Sequence, residues 1–99
     1  MNINDVMMVE GLRDFFNDVR NETFYPYLKR EGLLTPEHKD HPLRRRMMSF
    51  GGSELMDIFY DKSLTWEERE QKINERVEWL YAELAELRRL MGDTDAKKK

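Results

Sequence analysis

Two histidines in the middle of the chain are the first residues whose spacing could support chemistry. His38 and His41 are three residues apart, and an acidic residue precedes each of them. Two imidazoles and a carboxylate on one helix face can hold a zinc ion. However, the H-E-x-x-H pattern and a third histidine are absent, and Pro42 breaks the segment. We therefore interpret it as a solvated polar turn and predict no metal site.

The hydroxyl groups and glycines give no better candidate for catalysis. Ser49, Ser53 and Ser63 fit loop or helix-capping positions, whereas a nucleophile needs an adjacent base and an orienting group. The patterns G-x-S-x-G, G-x-x-x-x-G-K and G-x-G-x-x-G do not occur. Cysteine is also absent, which excludes disulfides and thiolate metal ligands. We predict no catalytic residue and no cofactor, and we expect that the protein is not an enzyme.

Three adjacent arginines, at positions 44 to 46, are the sharpest local feature. On a helix their side chains fan around most of the circumference, so they cannot all pair with one acidic face. They lie in a basic stretch, residues 20–46, whose net charge is +3, although the whole chain carries −3. Three interpretations stay open: a solvated surface paired with the acidic ends of the chain, an acidic protein partner, and nucleic-acid phosphates.

Apolar residues follow the arginines directly. Met47, Met48 and Phe50 would form a docking element with them, because methionine adapts to irregular surfaces and the charges would steer a partner. The same three residues would also serve a small core. We prefer the core for one methionine and leave the other open.

Other aromatic residues also suit a partner contact. Tyr25 and Tyr27 belong to a cluster of three aromatics in four residues, too many for one face of a turn. Trp79 lies off the apolar stripe of the last helix, where either another part of the chain or a partner would cover it. The predicted partner-binding residues are Arg44, Arg45, Arg46, Met47, Met48, Phe50, Tyr25, Tyr27 and Trp79.

A long amphipathic helix at about residues 5–23 is the first element that must position these residues. Apolar residues recur at helical spacing from Met8 to Val19 and predict one core-facing side. Pro26 should end this helix by about residue 25 and then open a short helical turn, which Gly32 stops.

A second long amphipathic helix is predicted at about residues 66–91. Thr65 and Glu68 fit a capping box, and Gly92 is the expected left-handed stop. Heptad spacing runs from Ile73 to Met91, which suits either a bundle within one chain or a homodimer through this helix.

The middle of the chain should hold two or three short helices. Pro42 starts one of them, Gly51 and Gly52 end it, and Ser53 caps a further segment at residues 54–62. The fold class is therefore all-α, with the two long helices packed against the short ones. We predict a single helical domain at residues 1–92 and a flexible lysine-rich tail at residues 93–99.

The leading hypothesis is a non-enzymatic protein–protein interaction module. Such a module would be a small adaptor or inhibitor that docks on a larger protein assembly, and a nucleic-acid-processing machine is one assembly that fits. The alternatives are nucleic-acid binding through the basic middle segment and a structural homo-oligomer through the C-terminal heptads. The longest purely apolar run has four residues, so we expect no membrane span and a cytoplasmic location. Replacing all three arginines by glutamate is expected to abolish partner capture without unfolding the chain.

Overall fold

Helices are the regular secondary structure of the residues that the structure describes. The computed structural model describes residues 6–96, with side chains up to residue 92. In chain order the elements are α1 (Val6–Val19), a π-helical segment (Arg20–Phe24), α2 (Tyr25–Arg30), a 3-10 turn (Pro36–His38), α3 (Pro42–Ser49), α4 (Ser53–Phe59) and α5 (Trp66–Ala96). No strand occurs in this range, which confirms the all-α prediction. The predicted start of the first helix at residue 5 and the last three residues of the predicted tail lie outside the described residues.

Pro26 does not end the first helical stretch, which corrects the sequence prediction. A proline lacks an N–H donor, and inside an α-helix its ring overlaps the carbonyl four residues before it. Here the backbone adopts the π pattern just before the proline: the Tyr25 N–H donates to the Arg20 carbonyl, five residues back. The wider turn accommodates Pro26, so helical backbone runs without a break from Val6 to Arg30.

Gly32 stops α2 as the sequence predicted. Its φ is +72°, which an L side chain rarely adopts. The Gly32 N–H donates to the Lys29 carbonyl (3.2 Å) and the Leu33 N–H donates to the Leu28 carbonyl (2.9 Å). These two bonds form a Schellman motif, which turns the chain toward α3.

The short middle helices are present, but α4 differs from its prediction. It ends at Phe59 rather than residue 62, and Gly52, not Ser53, is its N-cap residue. Gly52 lies against α1, where its N–H donates to Asn17 Oδ1 (2.9 Å). A Cβ atom at Gly52 would stand 2.5 Å from the Arg13 Cα. Glycine therefore permits the close approach of α4 to α1.

The capping box at the start of α5 is confirmed. The Thr65 N–H donates to Glu68 Oε1 (2.8 Å), and the Glu68 N–H donates to Thr65 Oγ1 (3.1 Å). The predicted stop at Gly92 is wrong, because Gly92 has no positive φ and the helix continues to Ala96. One glycine inside a helix costs about 1 kcal/mol relative to alanine, which the rest of a 31-residue helix can offset.

The heptad stripe of α5 forms one side of the core. α4 packs against both α1 and α5. The Phe50 ring, just after α3, has edge contacts with Phe16 (5.7 Å between ring centroids) and with Phe24 (5.2 Å). On α1, Met8 and Phe15 are both more than 40% exposed, although the helical spacing from Met8 to Val19 predicted them on the core-facing side. The buried residues are Val9, Phe16, Val19, Phe24, Tyr27, Leu28, Met47, Phe50, Leu55, Phe59, Ile73, Val77, Leu80, Leu84 and Leu87. No described helix combines the length and the apolar character that crossing a membrane requires.

Candidate functional site

Arg44, the first of the three adjacent arginines, fastens the loop after α2 to α3. Its Nη1 donates to the Leu33 carbonyl (3.2 Å) and to the Thr35 carbonyl (2.9 Å). Both carbonyls belong to the non-helical segment that connects α2 to the 3-10 turn. Arg44 therefore satisfies two backbone carbonyls of its own chain through Nη1.

Arg46 joins α3 to α5 through a two-pronged ion pair with Glu83. Its Nε lies 3.1 Å from Glu83 Oε2 and its Nη2 lies 2.7 Å from Glu83 Oε1. This hydrogen-bonded pairing raises the pKa of Arg46 above its ordinary value, because the carboxylate stabilises the charged guanidinium. The Glu83 side chain is only 13% exposed, so the pair shelters most of that negative charge.

Arg45, like Arg46, is exposed, but it differs from its two neighbours in its partners. Its side chain makes no ion pair or hydrogen bond with any residue that the structure describes. Successive residues on a helix point about 100° apart, which separates Arg45 from Arg44 and Arg46. The three adjacent arginines thus have three different roles, and Arg45 alone keeps its predicted availability.

The aromatic and methionine residues predicted to bind a partner also separate. Met47, Phe50 and Tyr27 are buried in the core, so a partner docked on the folded chain cannot reach them. These three residues therefore contribute to the core rather than to the predicted partner surface. Met48 and Tyr25 are exposed, on the helical positions next to buried ones.

Trp79 is an exposed aromatic residue with a cation stacked on its ring. Its indole is 48% exposed, and the Arg76 guanidinium stacks over the ring at 4.3 Å from the centroid. The Arg76 Nε also lies 2.8 Å from Glu54 Oε2 on α4. Its N–H does not point at that oxygen, so the contact is an ion pair rather than an aligned hydrogen bond. Arg76 therefore links the exposed indole on α5 to Glu54 on α4.

Two adjoining cavities meet at Arg76 and Trp79, and we call them together the Trp79 groove. The wide part, about 610 Å³, lies between α4 and α5. The narrow part, about 310 Å³, lies between α3 and α5. Besides the two shared residues, the wide part is lined by Glu54, Ile58, Asp61, Leu64, Lys72 and Glu75. The narrow part is lined by Arg45, Arg46, Ser49 and Glu83.

Two exposed residues of this groove, Arg45 and Trp79, were predicted from the sequence as partner contacts. Most of the other residues that line it were not predicted. Arg76 could have been found, since it precedes Trp79 by three positions on a helix and such pairs lie side by side. The pairing of Arg46 with Glu83 has no sequence signal, because 37 positions separate the two residues.

Asp61, at one edge of the wide part, is a carboxylate held by the loop before α5. Ser63 donates to Asp61 Oδ1 from its hydroxyl (2.6 Å) and from its backbone N–H (2.9 Å). The hydroxyl hydrogen bond and then the backbone one lower the pKa of Asp61 below its ordinary value of 3.8. Asp61 therefore stays ionised and adds negative charge to that edge.

The two histidines are used locally. His38 Nδ1 lies 2.9 Å from the Thr35 hydroxyl, and His41 Nδ1 accepts a hydrogen bond from the Leu43 N–H (3.2 Å) at the start of α3. Within the described part of the chain, no three histidine or acidic side chains converge as metal ligands would.

A second exposed aromatic pair lies elsewhere. Phe15 on α1 and Tyr81 on α5 have ring centroids 6.4 Å apart, and neither lines the Trp79 groove. This pair offers apolar surface, but neither of the two cavities described above adjoins it.

Comparison with models of protein families, with curated proteins and with solved structures gave no match. The function is therefore inferred from the residues and geometry of the chain itself.

Proposed function

We propose that the chain is a non-enzymatic protein–protein interaction module, a small adaptor or inhibitor that docks on a larger protein through the Trp79 groove. The observation that carries the proposal is the state of Trp79. About half of Trp79 is open to water, a guanidinium stacks on its ring, and it lines both adjoining cavities. A half-exposed tryptophan beside a cavity has the properties of an interface hot spot.

The free energy available from covering Trp79 is large enough to matter. A tryptophan buries about 200 Å², so covering the exposed half removes about 100 Å² from water. At about 25 cal/mol per Å² this contributes about 2.5 kcal/mol to binding. That value lies in the range of measured hot spots, which cost about 2 kcal/mol or more when truncated.

Trp66 provides a matched control for this proposal. It lies on the same helix, is 49% exposed, and has the Arg69 guanidinium 4.8 Å from its ring centroid. Thus the two tryptophans share exposure and a stacked arginine, but Trp66 does not line the groove, and its ring also has an edge contact with Phe59 (5.7 Å between ring centroids). A difference between their variants would therefore report on the groove rather than on tryptophan exposure in general.

The experiment is affinity capture with the tagged chain from a lysate of the organism that encodes it, read by mass spectrometry. We expect Trp79→Ala to lose the protein that the parent chain captures and Trp66→Ala to retain it. Equal capture by both variants, with both folded by circular dichroism, would contradict docking through the groove.

Nucleic-acid binding has weaker support. The basic stretch at residues 20–46 has seven basic residues, but Arg20, Arg44 and Arg46 donate to groups of the chain itself. Fluorescence anisotropy with labelled DNA and RNA at low salt tests this alternative, since phosphate attraction is strongest there.

The homodimer through residues 66–91 also has weaker support, because the central residues of the heptad stripe are already buried within one chain. Light scattering at high micromolar concentration tests it. The cytoplasmic location stays a prediction.

A further inference from the structure

Starting from the proposed docking function, we infer that the Trp79 groove selects an acidic segment of a partner polypeptide. A carboxylate of that segment pairs with Arg45 in the narrow part, and a large apolar side chain covers Trp79. The distribution of free and committed charges along the groove carries this inference.

The narrow part is electropositive. Arg45, Arg46 and Arg76 line it together with one acidic residue, Glu83. Glu83 is held by two hydrogen bonds from Arg46 and is mostly covered, so it offers little charge to an incoming group. An anionic group is therefore favoured in this part of the groove.

Among the three arginines of the narrow part, Arg45 would gain the most interaction energy from an incoming anion. Arg46 is committed to Glu83, and Arg76 is committed to Glu54 and to the Trp79 ring. The Arg45 guanidinium has a planar set of donors that matches a carboxylate in a two-pronged geometry. The Ser49 hydroxyl lines the same cavity and is a further donor for such a group.

The wide part suits an apolar anchor and disfavours a second carboxylate. Ile58 and Leu64 are half-buried there and lie beside Trp79 in the cavity wall. Three carboxylates, of Glu54, Asp61 and Glu75, and two cations, of Lys72 and Arg76, line this part, so its charge is net negative. Since like charges repel, the acidic residue of the partner is directed to the α3 end and its apolar residue to the middle.

A phosphate backbone fits this pattern less well than a protein carboxylate. Nucleic-acid binding uses several free cations along a continuous track. In the described groove, Arg45 and Lys72 line different parts, and carboxylates of Glu54 and Glu75 accompany Lys72. A single carboxylate next to an apolar side chain is therefore the ligand that the groove complements.

The test uses short random peptides displayed on phage and selected against the whole folded chain. Affinities of the selected peptides, each carrying a fluorescent label, are then measured by anisotropy for the parent chain and for its variants. We expect enrichment of aspartate or glutamate near an aromatic or long aliphatic residue. Trp79→Ala should weaken binding by about 30-fold, as for a hot spot.

The charge of Arg45 is tested by reversal and compensation. Arg45→Glu should weaken binding by about tenfold or more, and replacing the acidic residue of the peptide by lysine should restore affinity for that variant. Arg88→Glu is the control for net charge. Arg88 is exposed on α5, nine positions after Trp79 and so on about the opposite side of the helix, and its reversal should change affinity by less than about twofold.

The outcomes separate the two proposals. Peptides that need Trp79 but bind Arg45→Glu as well as the parent chain would overturn the acidic preference and leave the docking function standing. If none of the selected peptides depends on Trp79, the docking function itself fails. Binding of labelled single-stranded DNA that Arg45→Glu abolishes would show a phosphate site instead and would also overturn the inference.

Discussion

Single alanine replacements of the three adjacent arginines should have three different effects on stability. Arg44→Ala removes two charge-assisted hydrogen bonds, to the Leu33 and Thr35 carbonyls. Bonds of this type contribute about 1.5–3 kcal/mol each when they are sheltered. Because this site is partly exposed, we count about one such bond and expect a loss of about 1.5 kcal/mol in the free energy of unfolding.

The same replacement at the other two arginines should cost less stability. Arg46→Ala breaks the pair with Glu83, and since the Arg46 side chain is 41% exposed we expect a loss of about 0.5–1 kcal/mol. Arg45→Ala breaks no contact within the described chain and should stay within about 0.5 kcal/mol of the parent. The triple replacement by glutamate, expected from the sequence to leave the fold intact, should therefore destabilise it.

Urea unfolding followed by far-ultraviolet circular dichroism measures these differences. With a denaturant dependence of about 1.5 kcal/mol per molar, Arg44→Ala should lower the midpoint by about 1 M and Arg45→Ala by less than about 0.3 M. Arg44→Lys is the matched control, because it keeps the charge but loses the planar donor set, and it should recover only part of the loss. Equal midpoints for all three alanine variants would refute the assignment of separate roles.

Two further predictions concern the fold around the groove. Gly52→Ala should destabilise the chain by about 2–3 kcal/mol, because the added Cβ would meet the Arg13 backbone. Gly51→Ala should cost less, because the atoms nearest to its added Cβ are the ends of side chains. Thermal unfolding compares the two variants, and equal losses of stability would contradict the close contact between α4 and α1. The hydrogen bonds from Ser63 lower the pKa of the Asp61 carboxyl in the folded chain. The ionised carboxylate therefore stabilises the fold at pH values above its ordinary pKa of 3.8, and this stabilisation is lost as the pH falls through the lowered pKa. Asp61→Ala should therefore lower the urea midpoint at pH 7, and its difference from the parent should narrow at about pH 3.

The sequence allowed the prediction of features that depend on neighbouring residues. The capping box of Thr65 and Glu68 and the stop at Gly32 follow from local backbone chemistry, and both are present. The burial of the α5 stripe from Ile73 to Leu87 follows from helical periodicity. Each of these signals lies within a few helical turns.

Features that depend on distant residues escaped prediction. Pro26 suggested an end of the helix, but a π turn before it keeps the chain helical. The burial of Met47 and the exposure of Met48 depend on where α3 lies relative to the core. The two parts of the Trp79 groove have walls from α3 and α4, which local patterns do not place beside α5. Tertiary packing therefore decided which of the predicted contact residues remain available.

A direct measurement of docking through the Trp79 groove is the pair of tryptophan indole signals in a ¹H–¹⁵N spectrum. The chain has two tryptophans, so a labelled sample gives two indole N–H signals, which Trp66→Phe assigns. On addition of the captured partner, or of a selected acidic peptide, the Trp79 signal should shift or broaden while the Trp66 signal stays in place. A shift of Trp66 alone, or an unmoved Trp79 while signals near Phe15 and Tyr81 change, would contradict docking at the groove.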